Sequence, residues 1–189
     1  TGLADFANAL DSQFQALSIA EKFSDDSLKA SIHINIGNTL LKMEHFDRAF
    51  DHYQVALKKG EEVNDLNLIC NCESNIASYY LRTNSFDKAL SILLSLIKKY
   101  EERGLNAELL IALSNTGRAY TELEKFDKAI EYYERSIKLA KQQNNQFLLA
   151  NTTRHIAVLH LEQGMPDLAL PKLDEAFKIA TKIDARALI

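Results

Sequence analysis

The chain has 189 residues, an apolar fraction of 47%, a charged fraction of 25% and a formal net charge of −4, ordinary figures for a globular protein with room for a substantial core. The small acidic excess comes without any block of Lys and Arg, the wrong balance for gripping a phosphate backbone, so no nucleic acid partner is expected. Two Pro and six Gly are too few for a protein of many tight β-turns, and the longest apolar runs are too short to cross a bilayer, so no membrane insertion is expected either.

Along the chain, apolar and small residues fall at the three- and four-residue spacings of an amphipathic helix, and the whole pattern returns every 40 residues. Phe6 and Ala9 mark its first appearance, so residues 3–22 read as half a repeat and the chain opens inside one. Residues 30–63 are the first whole repeat. One helix carries Ile36 and Gly37, and a second opens with Phe46-Asp47-Arg48-Ala49 and continues through Tyr53 and Ala56 to Lys59-Gly60. Residues 70–103 restate it with Ile76, Ala77, Phe86-Asp87-Lys88-Ala89, Leu93 and Leu96, closing at Arg103-Gly104. Cys70 and Cys72 lie two apart on the first of these helices and point in different directions, which suits a reducing compartment better than a disulfide framework.

Residues 110–143 come next, with Leu109, Leu110, Leu113, Thr116, Gly117 and Tyr120 on one helix and a short polar link at 122–125. Phe126-Asp127-Lys128-Ala129, Tyr133, Ser136 and the closing Gln143-Asn144-Asn145 follow. Residues 150–183 are the least regular unit. Ile156, Ala157, Leu173 and Ala176 keep the period, but the motif decays to Pro166-Asp167-Leu168-Ala169, and Pro171 is expected to kink or delay the last helix. Residues 184–189 read as the start of a further helix, and an end there, like the opening inside a repeat, favours a fragment of a longer protein.

The recurring Asp falls in the first turn of each second helix, where a carboxylate opposes the positive end of the helix dipole. The small residues 37, 77, 117 and 157 are expected to face Ala49, Ala89, Ala129 and Ala169, letting the two backbones of a pair approach closely. A helix-interior Gly costs about 0.5–1 kcal/mol relative to Ala, so Gly37 and Gly117 in phase argue for a steric requirement.

A small residue in the first helix, then an aromatic and an Ala opening the second, then a large and another small residue: this pattern resembles the tetratricopeptide repeat, over residues 3–183. The resemblance implies an all-α fold, a right-handed superhelical solenoid of antiparallel helix pairs, here a single domain spanning 1–189. The period is 40 rather than the family's 34, so both helices should be longer by nearly a turn, as in the extended-helix branch of GoLoco-motif adaptors, Rap-type peptide receptors and bacterial signalling proteins. The chain departs from the family in having no Trp and no repeat-closing Pro.

Opposite the small residue, each first helix carries a second stripe. It reads Ser31, Asn35, Asn38, Lys42; then Asn71, Asn75, Ser78, Arg82; then Ile111, Asn115, Arg118, Glu122; then Asn151, His155, Val158, Glu162. Asn35, Asn75 and Asn115 are in phase, and His155 takes the fourth place. Asn is a poor helix-interior residue, and its amide offers both donor and acceptor, which suits gripping a peptide main chain. In the extended-helix relatives, matching asparagines line the concave groove. By resemblance, Asn35, Asn75 and Asn115 are the foremost expected partner-binding residues, and the stripe they lie on adds Asn38, Lys42, Asn71, Arg82, Arg118, Asn151 and His155. The competing reading is that the ladder only hydrogen-bonds between neighbouring repeats. Lys42 and Arg82 give way to Glu122 and Glu162, a gradient that either orients a bound peptide or marks solvated rim charges. The carboxylate clamp of chaperone-binding relatives is incomplete: Asn38 and Asn75 match, but Ile34, Ile111 and Asn115 stand where cations belong.

None of the five histidines forms a His-Glu-x-x-His pair, Cys70-x-Cys72 lacks a second ligand pair, and no phosphate loop or nucleophile elbow occurs. No catalysis, metal or cofactor is expected, and His33 reads as a packing residue. The expected function is a cytoplasmic scaffold that binds a protein or peptide. The alternative is a sensory or regulatory segment of a larger bacterial signalling protein, whose output domain would be a diguanylate cyclase, histidine kinase or transcription regulator, with a periplasmic location if that protein is a membrane sensor. Self-association through exposed solenoid ends is a further expectation.

Overall fold

The computed structural model describes residues 2–23 and 25–183, with the side chains of residues 2–4 outside the description. Among them lie helices α1 (Gly2–Ala20), α2 (Asp26–Lys42), α3 (Phe46–Glu62), α4 (Leu66–Arg82), α5 (Phe86–Arg103), α6 (Asn106–Glu122), α7 (Phe126–Gln142), α8 (Gln146–Glu162) and α9 (Pro166–Lys182). From α2 onward the helices start at 20-residue intervals, so each 40-residue period holds one pair. The further helix expected over 184–189 lies outside the described residues.

One backbone device sets this interval. Glu44, Asn64, Asn84, Gly104, Glu124, Asn144 and Gly164 all have positive φ, between 53° and 72°, and each is followed two residues later by a new helix. The amide after each left-handed residue reaches back five residues, as in His45 N to Leu40 O at 2.9 Å and Lys125 N to Tyr120 O at 2.9 Å. The left-handed residue itself bonds three back, as in Glu44 N to Leu41 O at 3.2 Å. This is the Schellman arrangement, which satisfies the orphan carbonyls of one helix while aiming the chain into the next.

Starts are less uniform. Asp65 Oδ1 accepts from Asn67 N at 3.0 Å and Leu68 N at 3.1 Å, Asp25 Oδ1 from Leu28 N at 2.9 Å, and Asn145 Oδ1 from Leu148 N at 3.1 Å. Helices α3, α7 and α9 have no side-chain cap and carry Asp47, Asp127 and Asp167 in the first turn instead, where their charge meets the helix dipole. Lys59-Gly60, expected at a helix end, lies inside α3, where Gly60 is buried and a Cβ on it would lie 3.2 Å from Leu68 Cγ. Pro171 does not delay α9, which begins at Pro166 in phase with Phe46, Phe86 and Phe126 and runs through Pro171. Pro166 takes the first helical position, where the missing N–H is no loss.

The helices group into two compact units, Thr1–Ile92 and Leu93–Ile189. In the first, α2 packs on α1, α3 and α4, and α3 on α4. Its core is Ile36, Leu40, Ala49, Tyr53 and Ile76, flanked by Leu10 and Leu17 of α1 and by Phe50, Tyr79 and Ile92. A neighbouring cluster joins Ala30, Ile34, Ala56, Leu68 and Cys72. In the second unit α6 packs on α7 and α8, α7 on α8, and α8 on α9, with Leu110, Ala140 and Leu149 at the centre.

At Gly37 and Gly117 the nearest neighbour of the small residue is a tyrosine ring rather than the expected Ala49 or Ala129. A Cβ on Gly37 would lie 2.5 Å from Tyr53 Cε1, and one on Gly117 would lie 2.6 Å from Tyr133 Cδ1 and Cε1. The glycines make room for a tyrosine ring one turn beyond Ala49 and Ala129, and both rings are almost fully buried.

Candidate partner-binding face

Tyr53 and Tyr133 connect the core to the stripe on the first helices. In the first unit, Tyr53 crosses beneath Gly37 and its hydroxyl donates to Asn38 Oδ1 at 2.8 Å, fixing that amide and leaving its NH2 group for other use. Burial pushes the Tyr53 hydroxyl far above its ordinary range, so it stays a donor. Asn35 and Lys42 are exposed on the same helix, α2.

On α4, Asn75 donates to Asn71 O at 2.9 Å and to Asn71 Oδ1 at 3.0 Å, which pre-orients two successive amides of the stripe. Arg82 ends α4 with its guanidinium 3.5 Å from Glu44 and 5.8 Å from the centre of the Phe46 ring. Both Arg82 and Glu44 are solvent-exposed, so the pair holds geometry more than it adds stability.

In the second unit Asn115, Arg118, Asn151 and His155 are all half-buried on α6 and α8. The His155 ring lies flat on Tyr133, centroids 5.7 Å apart and planes within 4° of parallel. Tyr133 thus packs against both Gly117 of α6 and His155 of α8. Burial holds the His155 imidazole down to about 4, assisted by Arg154 and Arg118, so the ring is neutral at pH 7. Asn151 Oδ1 accepts from Arg154 Nη2 at 3.1 Å. Beneath this face Ser114 Oγ and Thr152 Oγ1 meet at 3.4 Å, a buried polar contact between α6 and α8.

The bonds that Asn38, Asn75 and Asn151 make therefore stay inside their own repeats. Sequence reasoning missed Arg154 and the two supporting tyrosines. Arg154 lies one position off the chosen stripe, and its only signal was a cation beside His155. The tyrosines were visible as a column of large residues, but their contact with the glycines was not. No group of three or more His, Cys, Asp or Glu among the described residues could hold a metal ion. No described helix is long and apolar enough to cross a membrane.

A family profile described as Tetratricopeptide repeat matches residues 68–142 and 109–182. Among curated proteins, none matches the sequence. Several solved structures share the fold. BtubC (BKLC) from P. vanneervenii is 19% identical with a TM-score of 0.81, over 95% of this chain and 75% of that one. Aspartyl phosphate phosphatase F from Bacillus subtilis is 18% identical with a TM-score of 0.86, over 97% of this chain and 51% of that one. The Rap conjugation gene regulator of the plasmid pLS20, in complex with the Phr* peptide, is 15% identical with a TM-score of 0.72, over 81% of this chain and 43% of that one. The chain thus spans about half the length of the last two. With a repeat profile over more than half of its length and this helix-pair architecture, the chain is an all-α repeat solenoid of the tetratricopeptide repeat family.

Proposed function

We propose that the chain is a protein- or peptide-binding module whose contact surfaces are the stripes on the first helix of each pair, on α2 and α4 in the first unit and on α6 and α8 in the second. The observation that carries this reading is the pre-orientation of the stripe's polar groups: Asn38 by Tyr53, Asn75 by Asn71, and His155 by Tyr133. Groups held in place before binding lose little entropy on contact with a partner, and an Asn amide can meet a peptide main chain as both donor and acceptor. A structural neighbour solved with a bound peptide supports a peptide as the class of partner.

The test compares capture of partners by the native protein and by a variant carrying Asn35→Ala, Asn75→Ala and Asn115→Ala, with helical content checked first by circular dichroism. Loss of a partner by the folded variant is the expected result. Equal capture would move binding to another surface.

A second reading, a regulatory segment of a larger signalling protein, is favoured by the chain spanning 51% of a structurally similar phosphatase. Under that reading the same stripe receives the signal. Joining the segment to its native output domain should make the output respond to the partner, a response that the triple variant lacks.

A further inference from the structure

Away from that stripe, Phe14 of α1, His33 of α2 and His52 of α3 meet in one cluster of the first unit. The Nδ1 atoms of the two histidines are 2.9 Å apart, a separation that requires one nitrogen to donate a hydrogen and the other to accept it. If both rings are charged, both nitrogens carry a hydrogen and the contact becomes repulsive. The Phe14 ring meets His52 edge-on, with centroids 6.0 Å apart, so α1 rests on a ring whose position depends on that shared hydrogen.

Helix α1 is lightly held. It packs on α2, with Leu10 and Leu17 against the core and Gln13 Nε2 donating to Thr39 Oγ1 at 3.0 Å. Gln13 Oε1 is buried without a hydrogen-bond partner, so the polar part of this contact is incompletely satisfied. Helices α2 and α3 are joined more firmly, by Tyr53 beneath Gly37, by its bond to Asn38 and by the ion pair of Lys59 with Asp26 at 2.9 Å. The charges acting on the two rings come from α3: Lys59 on His33, and Arg48 and Asp51 on His52. On α2, Asp26 is shared by Lys29 and Lys59. Within one turn of Phe14, α1 brings only the carboxylate of Asp11. Helix α4, packed on α2 and α3, carries Glu73 and an Arg82 paired with Glu44. Two cations against one acid act directly on the rings and add to the repulsion between two imidazolium charges.

We propose that this cluster is an acid-sensitive latch on α1. When both imidazoles are charged the rings part, Phe14 loses its seat on His52, and α1 leaves α2 while α2, α3 and α4 stay packed. Burial, the first cause for both rings, keeps them neutral in the docked state, His33 down to about 4, and release returns them toward the ordinary value near 6.5. The released state therefore binds more protons. The contribution of the pair to docking is fully present above about 6.5 and is lost progressively as pH falls from there toward 4. Neither histidine lies on the stripe, so the latch and the partner-binding reading stand or fall separately.

Amide hydrogen exchange at pH 7 and at pH 5, read by mass spectrometry and corrected for the intrinsic pH dependence of exchange, tests the latch. Peptides from α1 are expected to lose roughly tenfold or more in protection at pH 5, and those from α2, α3 and α4 less than about threefold. His52→Gln removes one titrating ring and still offers His33 a hydrogen-bonding group, so α1 of that variant should be equally protected at both pH values. Circular dichroism checks that it folds, and His33→Gln replaces it if it does not. Unchanged protection of α1 in the wild type, equal loss from all four helices, or an undiminished loss in the glutamine variant would each overturn the proposal.

Discussion

At Gly117 there is no room for even a methyl group. An added Cβ would lie 2.6 Å from two atoms of the Tyr133 ring, and that ring is only 1% exposed, with His155 stacked on it. Gly117→Ala should therefore cost about 1–3 kcal/mol by overpacking. The fourth repeat has Ala157 and Leu173 at the corresponding positions, and the second has Ala77 and Leu93, so a small aliphatic pair replaces Gly with Tyr. Combining Gly117→Ala with Tyr133→Leu should then be less damaging than the two single changes summed, by about 1 kcal/mol. Urea denaturation of the four proteins in this cycle checks both statements, and strict additivity would refute the pairing. Both columns are legible in the sequence. Which residue of one meets which of the other is not, because helical periodicity reports spacing along one helix and leaves the crossing of two undefined.

His33 and His52 add a second argument at this scale. Their Nδ1 atoms are 2.9 Å apart, so two charged rings would set N–H against N–H. Burial, then the His52 charge and Lys59, hold His33 down to about 4. His52 is also lowered, by burial and Arg48 with Asp51 opposing, and Phe14 of α1 meets its ring edge-on. Unfolded imidazoles titrate near 6.5 and so bind more protons than the folded ones as pH falls toward 4. The stability these rings contribute is fully present above about 6.5 and is lost below it, and His155, also held to about 4, acts in the same direction. The melting temperature should fall between pH 7 and pH 5, and His33→Gln with His155→Gln should flatten the slope. A pKa of 6 or more for His33 in an NMR titration would contradict this account.

Among the elements, turns rather than helices hold the surprise. The sequence marks Gly104 and Asn144 as helix-ending residues, and both are left-handed. It does not mark Glu44 or Glu124, because glutamate has no preference for that region and sits there only because the Schellman bonds on either side over-determine the backbone. Glu44 gains an ion pair with Arg82. Glu124, exposed and with φ of 56°, is the better test. Left-handed backbone costs an L-residue about 1–2 kcal/mol, and the extra freedom of an unfolded glycine offsets about 0.5–1 of that. Glu124→Gly should thus stabilise the chain by about 0.5–1 kcal/mol in chemical denaturation, and a lowered midpoint would show that the residue is unstrained.

For the whole molecule, family and helix pairing were legible because the 40-residue period repeats core positions, which packing constrains tightly. Asn38 and Asn75 were legible as stripe members for the same reason, whereas Arg154, off the stripe and unrepeated, was not. A period imposed by packing also predicts what the chain tolerates. Residues 45–84 form one period between two left-handed turns, and removing them joins Glu44 to Ser85 as Glu44 now joins His45. Helix α2 is then followed by α5, which opens with the same Phe-Asp-x-Ala motif as α3, and Gly37 meets a leucine where Tyr53 stood. Because a repeat contacts chiefly its neighbours, the shortened chain should keep its helicity per residue and unfold cooperatively at a lower midpoint. Removing only residues 45–64 joins α2 to α4, two first helices in succession, and leaves the small-residue face of α2 without the helix that covers it, α3. That chain should lose cooperative unfolding altogether, and equal behaviour of the two deletions would mean that the period does not define the folding unit.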